Sequence, residues 1–412
     1  MTQPAPLSIG IVAGEVSGDA LGADFMQQMQ ALQPSIRWVG VGGTAMAQAG
    51  LDSLFDISRL TVMGISEVIT HLPDLLAAKK EILDAFLRER IDIFIGIDSP
   101  DFNLRIGKAL KKRLGSAVFC VQYVSPSVWA WREKRIHTIK AATDLVLCLF
   151  PFELDVYQKH KHPAVCVGHP LLRKLRPSSL TQAQNYQQFI CAFGADFDSP
   201  NTLNASGARP ICIMAGSRPS EIRAMLPVLT ETMALLSRQG NFCYLMPVVS
   251  QAHATLIKEH LHAHAPDLLD KTHVIFAAST DSLSVSQHAM NACELTILAS
   301  GTATFEALLL QRPMVVIYKV STLTYLIAKQ LMNIAYYSLP NILSHHQTGS
   351  PIVPELIQAA ANAPNIAKHA LNILDNLHRE QQKLSATAQL LRQDSHDSPA
   401  QAVLSHFLST RP

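Results

Sequence analysis

LTILASGTATFEALLLQRPMVVIYK (295–319) reads as strand, turn, helix and strand in 25 residues. Two short apolar runs rich in β-branched residues flank an apolar helix. Parallel neighbours need a crossover of this kind. The same rhythm extends in both directions. SIGIVA (8–13) ends in a glycine loop, and residues 20–33 then carry Leu21, Phe25, Met29 and Leu32 on one helical stripe. Further strands are expected at RWVGV (37–41), DIFIGI (92–97), AVFCVQYV (117–124), LVLCLF (145–150) and AVCVG (164–168). Continuous apolar strands interleaved with helices indicate a parallel sheet covered on both faces. Residues 171–210 break the rhythm with RKLRPSSLTQAQ and ADFDSPNTLNASGARP, which read as linker and surface loop. It restarts at ICIMA (211–215), CYLMPVV (243–249) and HVIFAA (273–278) before the stretch first quoted. The expected fold is α/β: two Rossmann-like, doubly wound domains facing a cleft, residues 1–170 and 171–384, with a helical C-terminus over about 385–412. Ligands then belong at the carboxyl ends of the strands.

Composition bounds the function. Hydrophobic residues make up 48% of the 412-residue chain and charged residues 16%, which excludes a disordered chain. Lys and Arg (34) nearly balance Asp and Glu (32), so there is no global footprint for nucleic acid. The seven cysteines form no C-x-x-C pair and several lie in apolar runs, which reads as buried free thiols in a reducing compartment. No basic-then-apolar leader and no apolar run of about 18 residues is present, so a cytoplasmic location is expected. His260, His262 and His264 at i, i+2 and i+4 do not share a helix face, and no metal site is expected.

In the second half, ICIMAGSRPSEI places Gly216, Ser217 and Arg218 between strand and helix, where backbone N–H groups and a guanidinium suit an anion. A plain tight turn with an exposed arginine is the alternative. Ser300, Gly301 and Thr302 form a second such turn. Glu306, one helical turn on, is within reach of ribose hydroxyls, unless it faces solvent on a packing helix. Two anion-ready turns favour a nucleoside diphosphate. Ser338-Leu339-Pro340-Asn341 ends a helix pattern, and Asn341 is a candidate to meet the ligand there.

In the first half, Gly14, Glu15, Ser17, Gly18 and Asp19 follow the first strand and suit sugar hydroxyls, or cap the helix. Asp98 ends the apolar strand DIFIGI, with Asp101 three residues on. A partly desolvated carboxylate there can act as general base, and Asp98 is favoured for that role with Asp101 in support. YVSPSVWAWREKR (123–135) joins Trp129 and Trp131 to Arg132, Lys134 and Arg135, which suits either a phosphorylated amphiphile or a packed loop. Residues 60–88 crowd Val62, Met63, Ile65, Ile69, Leu72, Leu75 and Leu76 ahead of Lys79, Lys80 and Arg88. Gly64 and Pro73 are expected to interrupt a regular helix. The segment reads either as a core helix or as a patch for acyl chains and anionic headgroups.

AGEVSGD (13–19), VMGISEV (62–68), GIDSPDFN (96–103), YVSPSVWAWR (123–132), GSRPSEI (216–222), ASGTATFE (299–306) and SLPNIL (338–343) together resemble the lipid-A-disaccharide synthase family, in order along most of the chain. HHQTGSPIVPELIQ (345–358) looks longer than the family's usual link. The resemblance implies a metal-independent, inverting GT-B glycosyltransferase without cofactor. It would move 2,3-diacylglucosamine from its UDP derivative to 2,3-diacylglucosamine 1-phosphate, giving lipid A disaccharide 1-phosphate and UDP. It implies UDP on Gly216, Ser217, Arg218, Ser300, Gly301, Thr302, Glu306 and Asn341. Asp98 would be the base, and the acceptor would lie near Glu15, Ser17, Asp101, Trp129 and Arg132. The phospholipid surface of the inner membrane's cytoplasmic face would be a partner, and the last helix would return to the first domain. Oligomeric state is left open, a homodimer included. The rivals are another GT-B UDP-sugar transferase or epimerase, and a non-catalytic UDP-binding protein at the membrane surface.

Overall fold

The computed structural model describes residues 6–60, 65–129, 133–194, 207–277, 283–319, 335–393 and 398–410; the side chains of 16 and 65–71 are outside that description. The chain forms two compact units, Met1–Pro170 with Arg392–Pro412, and Leu171–Leu391.

The first unit holds a parallel sheet in the order β2-β1-β3-β4-β5-β6. Its strands are β1 (Leu7–Ala13), β2 (Ile36–Val41), β3 (Ile93–Ile97), β4 (Phe119–Tyr123), β5 (Leu145–Cys148) and β6 (Ala164–Cys166). All five residues of β3 and of β4 are buried, as a sheet covered on both faces requires. The second unit repeats the plan as β12-β11-β10-β7-β8-β9. Here the strands are β7 (Arg209–Met214), β8 (Phe242–Pro247), β9 (Thr272–Ile275), β10 (Leu295–Ala299), β11 (Met314–Tyr318) and β12 (Glu355–Ile357).

Each order has one point where the winding reverses. In the first sheet the chain runs from β1 outward to β2, then returns across β1 to add β3. In the second it runs β7, β8, β9, then returns across β7 to add β10. The crevices at the carboxyl ends of β1/β3 and β7/β10 are therefore the places where a doubly wound sheet leaves room for a ligand. The Glu15 and Asp98 turns flank the first crevice, and the 216–218 and 300–302 turns flank the second.

Three expectations give way. Residues 171–194 are not a loop: Leu171–Lys174 and Gln182–Phe193 are helical. Thr181 caps the second, its hydroxyl accepting from Gln184 N, while Phe189 and Phe193 are buried. Five polar residues in QAQNYQQ hid that apolar face. Residues 345–358 are not one long link either. Helix Leu339–Thr348 runs through them to Gly349 (φ 77), and β12 follows. Finally, Pro73 does not end a helix; Ile65–Glu89 continues through it. Pro73 is exposed, so the carbonyl it leaves without a helical donor stays close to water.

That helix also resolves into two parts. Ala78, Ile82 and Phe86 are fully buried under the first sheet, whereas Leu72 and Leu76 are 42% and 52% exposed. The core reading holds for its C-terminal half. Val62 and Met63 lie outside the described residues, as do the side chains of Ile65 and Ile69. The last helix, Pro399–Ser409, belongs to the first unit, where Phe407 meets Phe119 edge-on at 5.9 Å. Ser398 caps it, accepting from Gln401 N, and donates to Gln28 Oε1 at 2.6 Å.

Asp19 shows how a motif residue can be absorbed by the scaffold. It is 6% exposed and accepts from Gly43 N (2.7 Å), Ala45 N (2.9 Å) and Met46 N (3.0 Å). It thereby caps the helix Thr44–Gln48. Asp19→Ala removes the acceptor of three N–H groups, and should lower unfolding free energy by roughly 2–4 kcal/mol in urea denaturation.

Candidate active site

Asp98 sits where β3 passes into the helix Pro100–Leu114. Asp98 and Ser99 both have left-handed backbone, φ 48 and φ 37. Each such residue costs on the order of 1–3 kcal/mol, so the surroundings must hold the turn. They do so through its main chain. Asp98 N donates to Tyr123 O at 2.8 Å, and Asp98 O accepts from Asn103 Nδ2 and Gln122 Nε2, both at 3.0 Å. Asn103 and Gln122 are each 1% exposed. Gln122 also donates to Val124 O at 3.3 Å, and Val124 is itself left-handed, φ 76. One buried amide thus ties together the strained ends of β3 and β4. Gly14 is part of the same fit, because a Cβ there would overlap the Ser99 side chain.

The Asp98 side chain is left half-buried, and burial raises its pKa above the ordinary carboxylate value, against a lowering hydrogen bond from the Ser99 backbone. It lines a cavity of about 390 Å³ with Glu15, Leu60, Leu72, Leu75, Leu76, Lys79, Asp101 and Arg105. A half-buried carboxylate, an apolar wall and two cations therefore share one space.

The other residues expected here are placed as follows. Glu15 and Ser17 are exposed at the start of helix Val16–Leu32. Asp101 turns outward, 83% exposed, and pairs with Arg135 at 2.7 Å. It belongs to the cavity rim and makes no contact in support of Asp98. Trp129 packs edge-on against Phe152 at 4.7 Å, which favours the packed-loop reading for that side chain. Arg132 lies outside the described residues. Sequence reasoning missed Arg105, Asn103 and Gln122; GIDSPDFN contained Asn103, whose amide lies in the helix's first turn and reaches back to the carbonyls of Ile97 and Asp98.

In the second unit the 216–218 and 300–302 turns line one cavity of about 600 Å³, at the carboxyl ends of β7, β8, β9 and β10. The two turns differ. At the first, the N–H groups of Ser217 and Arg218 already have an anion: Glu221 Oε2 accepts both, at 3.2 and 3.3 Å. Gly216 (φ 122) needs to be glycine, since a Cβ would also come within 2.9 Å of Glu221. The Arg218 side chain is 74% exposed. At the second turn no side chain among the described residues caps the helix Thr302–Leu309. A Cβ on Gly301 would meet nothing within 4 Å, so packing does not demand glycine there. The bare backbone faces the cavity instead.

Glu306 does not line this cavity. It is half-buried, accepts from Gln287 Nε2 at 2.8 Å, and has a pKa raised by burial against that lowering hydrogen bond. Gln287 also accepts from Ser284 N, and Ser284 and Ser286 do form part of the wall. Asn341 departs from expectation. It is 1% exposed and its amide is spent inside the fold. It donates to Val353 O (3.0 Å) and Glu355 Oε2 (2.9 Å), and accepts from Ile352 N (2.9 Å) and Val353 N (3.0 Å). All four of its hydrogen-bonding positions are taken. Its place is beside the cavity: Glu355 also accepts from Tyr337 N and Ser338 Oγ, and Ser300 Oγ donates to Tyr337 O. Asn341 positions the segment that holds Ser300. The walls Val248, Val249, Phe276 and Ala277 went unpredicted, although they follow strands read correctly.

Two Rossmann-like units, each with its cavity at the switch point, define the GT-B class of fold, and solved structures agree. A glycosyltransferase of kitacinnamycin superposes with TM-score 0.57 over 99% of this chain and 100% of its own, at 12% identity. UDP-GlcNAc 2-epimerase from Neisseria meningitidis, bound to UDP-GlcNAc, does so with TM-score 0.56 over 93% and 98%, at 11% identity. A transferase and an epimerase thus share the fold, and sequence separates them. The profile of the lipid-A-disaccharide synthetase family matches residues 9–406. Lipid-A-disaccharide synthases of Acinetobacter baylyi and Pseudomonas aeruginosa (strain UCBPP-PA14) are 39% and 38% identical, over 97% of this chain and 96% and 97% of theirs. The chain belongs to the lipid-A-disaccharide synthase family, glycosyltransferases of lipid A biosynthesis.

The amide clamp behind Asp98 makes a definite prediction. Gln122→Leu keeps shape but leaves the carbonyls of Asp98 and Val124 short of a donor. Urea denaturation should show a loss of roughly 1–3 kcal/mol, and turnover should fall at least tenfold in protein that remains folded by circular dichroism.

Proposed function

We propose that this chain transfers 2,3-diacylglucosamine from UDP-2,3-diacylglucosamine to the 6-hydroxyl of 2,3-diacylglucosamine 1-phosphate, with inversion, giving a β-1,6-linked disaccharide 1-phosphate and UDP. The observation that carries this is the 390 Å³ cavity in which the half-buried Asp98 carboxylate meets exposed leucines. A sugar acceptor needs the base; a diacylated sugar also needs the leucines.

Asp98 takes the proton of the acceptor 6-hydroxyl. The oxygen attacks the anomeric carbon of the donor from the face opposite UDP. The new C–O bond forms as the bond to the β-phosphate oxygen breaks, and the electron pair leaves with UDP. Glu15, Ser17 and Asp101 hydrogen-bond acceptor hydroxyls. The diphosphate lies against Gly216, Ser217, Arg218, Ser300, Gly301 and Thr302. The uncapped start of helix Thr302–Leu309 and the exposed Arg218 guanidinium meet the negative charge that grows on the leaving group. Phe276 and Val249, 45% and 68% exposed, give apolar surface for the flat base. Glu306 acts from behind the wall: it holds Gln287, which in turn fixes Ser284 at the cavity surface.

The leucine face also supports a peripheral place on the cytoplasmic face of the inner membrane. Among the described residues no helix is long and apolar enough to cross a membrane. Insertion of Leu72 and Leu76 into the headgroup boundary, beside the exposed Lys80, would hold the protein at its lipid substrates.

The activity is tested by incubating both lipids with enzyme and detergent. Mass spectrometry should find disaccharide 1-phosphate; its absence with folded protein sinks the proposal. Asp98→Asn should lose at least a thousandfold in kcat, yet bind UDP by calorimetry as the native chain does. The native kcat/KM should rise with pH along an acid limb centred above about 4, the ordinary aspartate range, because only the deprotonated carboxylate accepts the proton. For the membrane, Leu72→Ser with Leu76→Ser should retain folding and co-sediment severalfold less with phospholipid vesicles. Unaltered sedimentation removes the leucines from membrane binding.

A further inference from the structure

The cations around the Asp98 cavity are not equivalent. Arg59 is committed to Asp74 at 2.9 Å and Glu81 at 3.1 Å. Arg135 is committed to Asp101 at 2.7 Å. Lys79 and Arg105 line the cavity, and among the described residues neither has an ion-pair or hydrogen-bond partner. They come from different helices, Ile65–Glu89 and Pro100–Leu114, which also pack the apolar core beneath. Lys79 stands one turn beyond Leu75 and Leu76, so it continues the face that the leucines begin. Arg105 stands one turn beyond Asp101, about 6 Å further up its helix. Asp101 and its partner Arg135 cancel one another at the rim, which leaves the Arg105 charge uncompensated.

The cavity therefore carries both signs of charge in different places. The carboxylates, Glu15 and Asp98, lie at the ends of β1 and β3. The unpaired cations lie up the two helices, next to leucines. A ligand that matches this pattern has hydroxyls at one end, an anion at another, and apolar chains beside the anion.

We propose that Lys79 and Arg105 form the anion site of the acceptor, holding its phosphate monoester while Asp98 faces the hydroxyl that reacts. This rests on the acceptor reading given above and adds the groups that recognise the phosphate. Arg105 supplies a fork of N–H donors suited to phosphate oxygens, and Lys79 a movable point charge. The pair selects a phosphorylated acceptor over the same lipid without phosphate. It also sets the acceptor's register, since fixing the phosphate fixes which hydroxyl reaches Asp98.

The test compares two acceptors, 2,3-diacylglucosamine 1-phosphate and 2,3-diacylglucosamine, with native enzyme, Arg105→Ala, Lys79→Ala and the double variant. Native enzyme should prefer the phosphorylated acceptor. In the double variant kcat/KM for it should fall 30- to 100-fold, chiefly through KM, and the preference should shrink at least tenfold. Arg105→Lys should restore part of it. Calorimetric titration of the phosphorylated acceptor in detergent micelles should show the same weakening without turnover. If both acceptors lose equally, or neither loses, the assignment is overturned. If native enzyme makes no disaccharide but the double variant still loses micelle binding of the phosphorylated lipid, the transfer reading fails and the anion site stands. Vesicles of phosphatidylcholine alone or with phosphatidylglycerol separate the two sources of phosphate. Loss of anionic-vesicle binding with unchanged acceptor preference assigns the pair to membrane headgroups and overturns the proposal.

Discussion

The turn at Asp98 and Ser99 is the constraint on which the first unit's chemistry depends. Two adjacent non-glycine residues in left-handed backbone are costly, and the fold accepts the cost at the crevice where its sheet reverses. What holds them is a pair of buried amides acting on main-chain carbonyls. Asn103 reaches down from its helix and Gln122 reaches across from β4. Neither contacts the Asp98 carboxylate. The side chain is thus free for chemistry while its backbone is fixed. It also stays close enough to the sheet for burial to raise its pKa. A relaxed αR turn would aim the side chain elsewhere and give up that desolvation.

The second unit solves a different problem with the same topology. On the proposed function its task is to receive an anion, and the turns that would do so are two helix starts at its cavity. The two turns divide that task. Glu221 occupies the N–H groups at Ser217 and Arg218, which keeps that helix start satisfied in the free chain. Among the described residues the 301–303 turn has no such internal anion. A diphosphate bound as proposed would meet an uncapped helix start at one turn and would displace the Glu221 carboxylate at the other. Such displacement lowers net affinity but keeps the empty site from being an unsatisfied helix end.

How much of this was legible in the sequence depends on how local each signal is. Eleven of the twelve strands announce themselves as apolar runs, because a strand buried on both faces has no other composition open to it. ELI (355–357) does not, being three residues at a sheet edge. Turn chemistry was half legible. Gly216 and Gly301 mark the right loops, but composition cannot tell a glycine required by φ from one kept for open space. Carboxylates were the hardest to read. Asp19, Asp98, Asp101 and Glu221 sit in equivalent-looking motifs, yet the first caps a neighbouring helix, the second is half-buried in a cavity, the third pairs with Arg135, and the fourth fills its own helix start. Their partners lie 3 to 34 residues away, and only the fold fixes which partner is met. Asn341 fails as a ligand contact for the same reason, since the four groups that saturate it come from a strand and loop 11 to 14 residues on.

The high apolar content can now be divided by place. Most of it is ordinary sheet core, as the fully buried β3 and β4 require. Of the exposed large apolar residues, Leu72 and Leu76 share one helix, Ile65–Glu89. Ala78, Ile82 and Phe86 of Ile65–Glu89 are packed under the sheet while Leu72 and Leu76, which precede them, face outward beside the Asp98 cavity. A helix that needed only to cover the sheet would be polar on that outward face. Exposed leucines carry a cost in solubility, and a single scattered one needs no explanation. Two on one face, with Leu75 between them and all three lining a cavity with a half-buried carboxylate and unpaired cations, are the feature on which the proposed lipid substrate rests. On the proposed function, the same short surface would do for an acyl chain what the 301–303 turn would do for a phosphate: leave unmet, in the free protein, the interaction that the substrate brings.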